Sequence, residues 1–185
     1  MAQEIDRATL SQAQRGEPSA CRALVACYEK PVFALLWRML NPRGKDSAVE
    51  DLAQETFLRV FRKLPDFSSD GPARLSTWIL TIATRLALNE LRRKTTTEPL
   101  STNIPERTAD GQADELVRQR ALATAVESAI AGLSPDYRSV FLLAEYHELS
   151  HQEIAMSLDI RPGTVKSRLS RARQYIAKQL SEYVS

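Results

Sequence analysis

Between Asp159 and Glu182 the chain carries no acidic residue, and its apolar side chains there fall at helical spacing. Val165, Leu169, Ala172 and Ile176 recur every three or four residues and set one helix face for burial. Lys166, Ser167, Arg168, Ser170, Arg171, Arg173 and Lys178 are left on the other face, with no carboxylate of that segment to neutralise them. Just upstream, Ser150 to Glu153 spells S-x-x-E, a capping box in which hydroxyl and carboxylate satisfy orphan amides. Ile154, Ala155 and Leu158 then form the inner face of a short helix, which Asp159-Ile160-Arg161-Pro162-Gly163 breaks. A second helix is predicted from Thr164. A short helix, a tight turn and an acid-free second helix make a helix-turn-helix, whose second helix enters the major groove. There Arg bonds guanine with two donors, and Ser and Lys reach bases or phosphates. A solvated basic helix face is the plain alternative. The three features together favour DNA binding.

The remainder of the chain also reads as helix. Residues 4–15 form a short helix ending at Gly16, and a longer one runs from Pro18 to Leu40 with Leu24, Val25, Tyr28, Val32, Leu35, Leu36 and Met39 facing inward. A turn follows at residues 41–44. Over 46–64, Val49, Leu52, Ala53, Thr56, Phe57, Val60, Phe61 and Leu64 make one apolar stripe. Glu50, Asp51, Gln54, Glu55, Arg59 and Arg62 lie opposite it. Residues 65–72 are a loop, and a fourth helix covers 75–94, ending on Arg92-Arg93-Lys94. Two further helices are predicted over 118–132 and 135–147, with Ser134 as N-cap and Pro135 at the first helical position. The fold class is therefore all-α.

Residues 95–117 have little periodicity and are rich in Thr, Pro, Ser, Asp and Gly. They read as a flexible linker between two small domains. The net charge of +2 conceals an asymmetry: 160–185 holds six Lys/Arg against one acid, and 95–117 five acids against one base. A basic end beside an acidic connector suits a polyanion-binding module. Cys21 and Cys27 lie six residues apart, on different faces of a helix, and read as small packed residues in a reducing compartment. The amino-terminal stretch has no apolar core for a signal peptide, and no apolar run suits membrane insertion.

His147-Glu148-Leu149-Ser150-His151 satisfies the H-E-x-x-H pattern of zinc proteases. That chemistry needs both imidazoles on one continuous helix, plus a third ligand. Ser150 as an N-cap breaks the helix between them, so an inter-helix turn is the better reading. No catalytic site, metal or cofactor is expected.

Three blocks in order resemble bacterial RNA polymerase sigma factors of the extracytoplasmic-function type: DLAQETFLRVF over 51–61, STWILTIA over 76–83 running on to NELRR over 89–93, and GTVKSRLSRAR over 163–173. The resemblance implies sigma domain 2 over 1–94, an acidic linker over 95–117 and sigma domain 4 over 118–185. It implies a cytoplasmic initiation factor that binds core RNA polymerase through the β′ clamp helices and β flap. Such a factor directs the enzyme to promoter DNA, assists −10 melting and is controlled by an anti-sigma factor. By position, Asp51, Gln54, Glu55, Leu58 and Arg59 would dock on polymerase, and Trp78, Arg85, Asn89, Arg92 and Arg93 would serve the −10 element. Arg85 stands where relatives often have Asn, and Trp78 is read as a packing anchor before a stacking platform. Thr164, Lys166, Ser167, Arg168, Ser170, Arg171 and Arg173 would serve the −35 element, with ion pairs inside the chain as the alternative for Arg168 and Arg173. The linker would thread toward the polymerase active centre or RNA exit path. A stand-alone repressor binding an operator as a dimer is the other reading, but it would not need the 51–61 block.

Overall fold

The computed structural model describes residues 4–40, 46–71, 73–95 and 115–181. Those residues form eight α-helices and one 3-10 turn, with no strand among them. The helices are α1 (Arg7–Gln14), α2 (Pro18–Leu40), α3 (Asp46–Lys63), α4 (Leu75–Thr95), α5 (Glu115–Gly132), α6 (Pro135–Glu145), α7 (His151–Leu158) and α8 (Pro162–Gln179). The 3-10 turn, Leu64–Asp66, follows α3. The expected turn at 41–44 and most of the expected linker lie outside the described residues.

Helices α1 to α4 pack around α2, whose Leu24, Val32, Leu35, Leu36 and Met39 are fully buried. The stripe on α3 faces this core, with Val49, Thr56, Val60 and Leu64 buried and Leu52, Ala53, Phe57 and Phe61 half-buried. The buried Thr56 hydroxyl donates a hydrogen bond to the Leu52 carbonyl at 2.7 Å, so its burial leaves no polar group orphaned. Helices α5 to α8 form a second bundle around Ile130, Leu142, Leu143, Ile154, Val165, Leu169 and Ala172.

Several helix ends differ from the sequence expectation. Asp6 caps α1 by accepting from the Thr9 amide at 2.9 Å, so the helix starts at Arg7 rather than at residue 4. Helix α5 begins at Glu115, which makes residues 115–117 helical rather than linker. Helix α8 begins at Pro162, two residues before Thr164: proline needs no amide partner at the first helical position, and its φ is already helical. Ser134 takes the N-cap position of α6 without a side-chain capping bond. Helix α6 stops at Glu145, and Glu148 turns the chain with φ 54°.

The two bundles touch along α2 and α4. Arg38 pairs with Glu127 at 3.0 Å and lies over the Tyr146 ring at 4.3 Å. Thr77 donates to Glu153 at 3.0 Å, and the hydroxyls of Thr81 and Ser157 lie 2.6 Å apart. The most buried contact is Arg138, which is 5% exposed. It donates to the carbonyls of Ile130 (3.1 Å), Leu133 (2.7 Å) and Ala131 at the end of α5, and to Met39 of α2 at 2.8 Å. Its charge thus sits against the negative ends of two helix dipoles.

Candidate nucleic-acid interface

Helix α7 begins with the complete capping box. The Glu153 amide donates to Ser150 Oγ at 3.2 Å, and the Ser150 amide donates to Glu153 Oε2 at 2.9 Å. Burial pushes the Glu153 carboxyl up, but the hydrogen bonds from Ser150 and Thr77 outweigh it and hold the group below its ordinary value. Asp159 ends α7 in the left-handed conformation (φ 55°, ψ 50°), its amide bonded to the Ala155 carbonyl. The turn to α8 is therefore three residues long, Asp159 to Arg161, with Pro162 as the stiff start of the next helix.

On α8, Val165, Leu169, Ala172 and Ile176 are buried, as their spacing predicts. Lys166, Ser167, Ser170 and Arg171 are exposed on the opposite side, and Thr164 is half-buried. Ser167 donates to the Thr164 carbonyl at 3.0 Å, and Arg171 reaches the Tyr137 hydroxyl at 3.3 Å. Arg168 and Arg173 form ion pairs inside the chain: Arg168 pairs with Asp136 at 3.2 Å, and Arg173 donates twice to Glu145, at 2.8 and 2.6 Å. These two pairs and the Arg171–Tyr137 bond tie α8 to α6; Lys166, Ser167, Ser170, Arg171 and Arg173 are exposed, and Arg168 is half-buried. Nothing in the local sequence distinguishes the ion-paired arginines from Arg171, because the acids that sort them lie some 30 residues upstream in α6.

In the first bundle, Asp51, Gln54, Leu58 and Arg59 are exposed and Glu55 is half-buried, all away from the α2 core. Arg59 donates to Glu55 at 2.6 Å, one helical turn back. Leu58 is an apolar side chain 51% exposed on this polar face.

A cleft of about 490 Å³ opens beside the start of α4, lined by Lys63, Asp66, Phe67, Ser68, Gly71, Ala73 and Trp78. Trp78 is half-buried against Phe67, ring centroids 5.0 Å apart, so it both packs and lines the cleft. Asn89, Arg92 and Arg93 are exposed further along α4, and Arg93 pairs with Glu90 at 3.2 Å. Arg85 lies elsewhere: it donates to the Ser157 carbonyl at 2.8 Å and the Met156 carbonyl at 3.4 Å, at the end of α7. In this arrangement it serves the contact between bundles, not the cleft.

The H-E-x-x-H stretch is split, as Ser150 predicts. His147 follows α6, Glu148 adopts a positive φ, and His151 is the first residue of α7. No group of three or more His, Cys, Asp or Glu suited to a metal occurs among the described residues. Cys21 and Cys27 are not joined by a disulfide, and both are half-buried on α2. Burial and the charge of Arg38 push the His147 imidazole down from 6.5 to about 4. The folded state therefore holds it neutral, while an unfolded chain protonates it near pH 6.5. Stability from this group is present above pH 6.5 and is lost as pH falls toward 4. A full shift is worth about 3 kcal/mol, and residual exposure reduces it to roughly 1–2 kcal/mol. Urea denaturation at pH 7 and 4.5 should show that loss, and His147→Gln should flatten it. An unchanged slope in the variant would assign the pH dependence to other groups.

A capped helix-turn-helix with an exposed basic second helix, joined to another helical bundle, places the chain among the helix-turn-helix DNA-binding proteins. Residues 24–97 match the Sigma-70 region 2 family, and residues 123–176 match the Sigma-70, region 4 family. The chain is 32% identical to the ECF RNA polymerase sigma factor SigW of Bacillus subtilis, over 94% of this chain and 95% of that protein. It is 30% identical to the RNA polymerase sigma-H factor of Pseudomonas aeruginosa, over 97% and 96% of the two chains. Among solved structures it resembles CnrH in its complex with the cytosolic domain of CnrY (TM-score 0.64, 24% identity, 96% and 97% coverage). It also resembles the sigma factor RpoE of Bartonella quintana (TM-score 0.65, 21% identity, 86% and 96% coverage). The chain belongs to the extracytoplasmic-function (ECF) family of RNA polymerase sigma factors, which are transcription-initiation factors and not enzymes.

Proposed function

We propose that the first bundle holds core RNA polymerase and opens the −10 element, while the second reads the −35 element. The observation that carries this reading is the pairing, on one chain, of an acid-free exposed α8 face with an exposed polar face on α3. Asp51, Gln54, Glu55, Leu58 and Arg59 dock on the β′ clamp helices, with Leu58 as the apolar contact inside a polar rim. The second bundle meets the β flap. Lys166, Ser167, Ser170 and Arg171 enter the major groove, where Arg171 bonds a base edge and Lys166 a phosphate. Thr164 lies at the groove end of the helix, and Arg168 and Arg173 orient it from behind. The cleft beside Trp78 takes a base flipped from the −10 stack, Asn89, about three turns further along α4, meets the adjoining part of the element, and Arg92 and Arg93 hold phosphates.

The two elements are centred about 25 base pairs apart, roughly 85 Å of duplex at 3.4 Å per pair. A folded chain of this length has a radius of gyration of about 16 Å. Reading both elements at once therefore requires α7 to leave α4, which frees Arg85 from the Met156 and Ser157 carbonyls. The protein acts in the cytoplasm, where polymerase and DNA are. No helix among the described residues is long and apolar enough to cross a membrane. The similar RpoE structure contains an anti-sigma factor, NepR, and we assign a partner of that kind to this chain.

The test is in vitro transcription with purified core polymerase, with start sites mapped. Glu55→Lys reverses the charge on the docking face and breaks the pair with Arg59. It should weaken competition for core enzyme at least tenfold while stability falls by no more than about 1 kcal/mol, the value of a half-exposed i,i+4 pair replaced by like charges. Unaltered competition would remove α3 from the polymerase interface.

A further inference from the structure

The Sigma-70 region 2 match begins at residue 24, yet the segment before it reaches across the bundle to the cleft at α4. Leu10 and Ala13 of α1 are buried, and Tyr28 of α2 accepts from the Ile5 amide at 3.3 Å, so the segment is anchored on α2. From that anchor Gln14 spends both protons of its amide nitrogen on one target. Its Nε2 donates to the Leu64 carbonyl at 3.0 Å and to the Phe67 carbonyl at 2.7 Å. These two carbonyls bracket the 3-10 turn whose Asp66 and Phe67 line the cleft. Glu4 acts on the opposite wall: its Oε1 accepts from the Ser76 amide at 3.2 Å in the first turn of α4, and its Oε2 accepts from Tyr28 at 3.0 Å. Arg7 pairs with Asp70 in the same loop at 3.1 Å, though both are exposed and the pair adds little alone.

We propose that Gln14 is a positioning residue for promoter melting: it holds the turn in the shape that receives the unpaired −10 base. The inference rests on reading the cleft as the −10 base site. Short 3-10 turns have poor internal hydrogen bonding, so an unbraced turn would have to be ordered when the base arrives. The brace moves that ordering into folding. None of its contacts falls on the polymerase-facing side of α3 or on α8, so it acts on −10 capture alone.

The experiment uses holoenzyme reconstituted from core polymerase and the full chain, on a promoter whose start site has been mapped. The probe is a single-stranded oligonucleotide of the non-template −10 sequence, with 2-aminopurine reporting the flipped base. Gln14→Leu keeps the bulk and loses the donor. Gln14→Asn keeps the amide but is one methylene too short to reach both carbonyls. Each should weaken oligonucleotide binding about tenfold, lower permanganate reactivity across the melted region and dull the 2-aminopurine response. Competition for core enzyme and binding of a −35 duplex should stay unchanged, as should every readout in Gln12→Leu on the exposed side of the same helix. If Gln14→Leu fails to fold, Gln14→Asn decides. Wild-type oligonucleotide affinity in a folded variant would overturn the proposal, and so would an equal loss on the −35 duplex. If wild-type holoenzyme itself captures no −10 strand, it is the functional reading that fails.

Discussion

Replacing Arg138 with methionine should destabilise the protein by about 3–5 kcal/mol, the usual cost of removing one partner from a buried charged network. Methionine fills much the same volume, so the loss would come from the carbonyls left behind. Ala131, Leu133 and Met39 accept from this one guanidinium, as does Ile130, which keeps a second donor in the Leu133 amide at 3.1 Å, and each buried carbonyl without a donor costs roughly 1–3 kcal/mol. Arg138→Lys should fall between, because an ammonium keeps the charge against the helix ends but cannot fork toward separate acceptors. Denaturation followed by circular dichroism and by Trp37 and Trp78 fluorescence would measure it. A loss below about 1 kcal/mol would mean that water replaces the guanidinium at those carbonyls, as a well-bonded buried water can.

Arg171→Ala should leave folding unchanged and weaken −35 recognition by about 1–3 kcal/mol, the value of a two-donor contact to a base edge. Arg171 is exposed on α8 and donates to the Tyr137 hydroxyl at 3.3 Å, a long bond that an incoming base can outcompete. Arg173→Ala is the matched comparison. That side chain already serves Glu145, so its removal should cost stability by less than about 1 kcal/mol and DNA affinity by less than Arg171 does. The measurement is duplex competition against holoenzyme at fixed salt, with single base changes in the −35 element. If Arg171→Ala lowers affinity equally for every sequence, Arg171 contacts phosphate and not a base.

The helix-turn-helix was readable from local pattern because its determinants are local. Ser150 and Glu153 cap a helix within one turn, and Val165, Leu169, Ala172 and Ile176 mark a face by spacing alone. The same holds for the α3 stripe and for the break in H-E-x-x-H. Helix ends were less legible where a cap competes with periodicity, as at Asp6, or where proline opens a helix, as at Pro162. The functional faces split differently. The exposed set on α3 followed from its stripe, whereas the cleft at Trp78 is assembled from the end of α3, a 3-10 turn and α4, and no single segment announces it.

The order of capping residues, breakers and apolar spacings decided by itself that this chain is a string of helices with a basic reading rod near its end. Those signals act over three or four residues, within reach of one turn of backbone. Which charges stay available was settled only by folding. Arg138 looks like any surface arginine of a helix, and becomes the buried link between α5 and α2 because two helix ends converge on it. Arg168 and Arg173 look equivalent to Arg171, and become braces because Asp136 and Glu145 are brought under them. Gln14 looks like a solvated amide, and becomes the tie across the cleft because Leu64 and Phe67 fold back to meet it. Such partners lie tens of residues away along the chain. Coulombic and hydrogen-bonding forces act over a few ångströms of space, so only the packed structure could choose them.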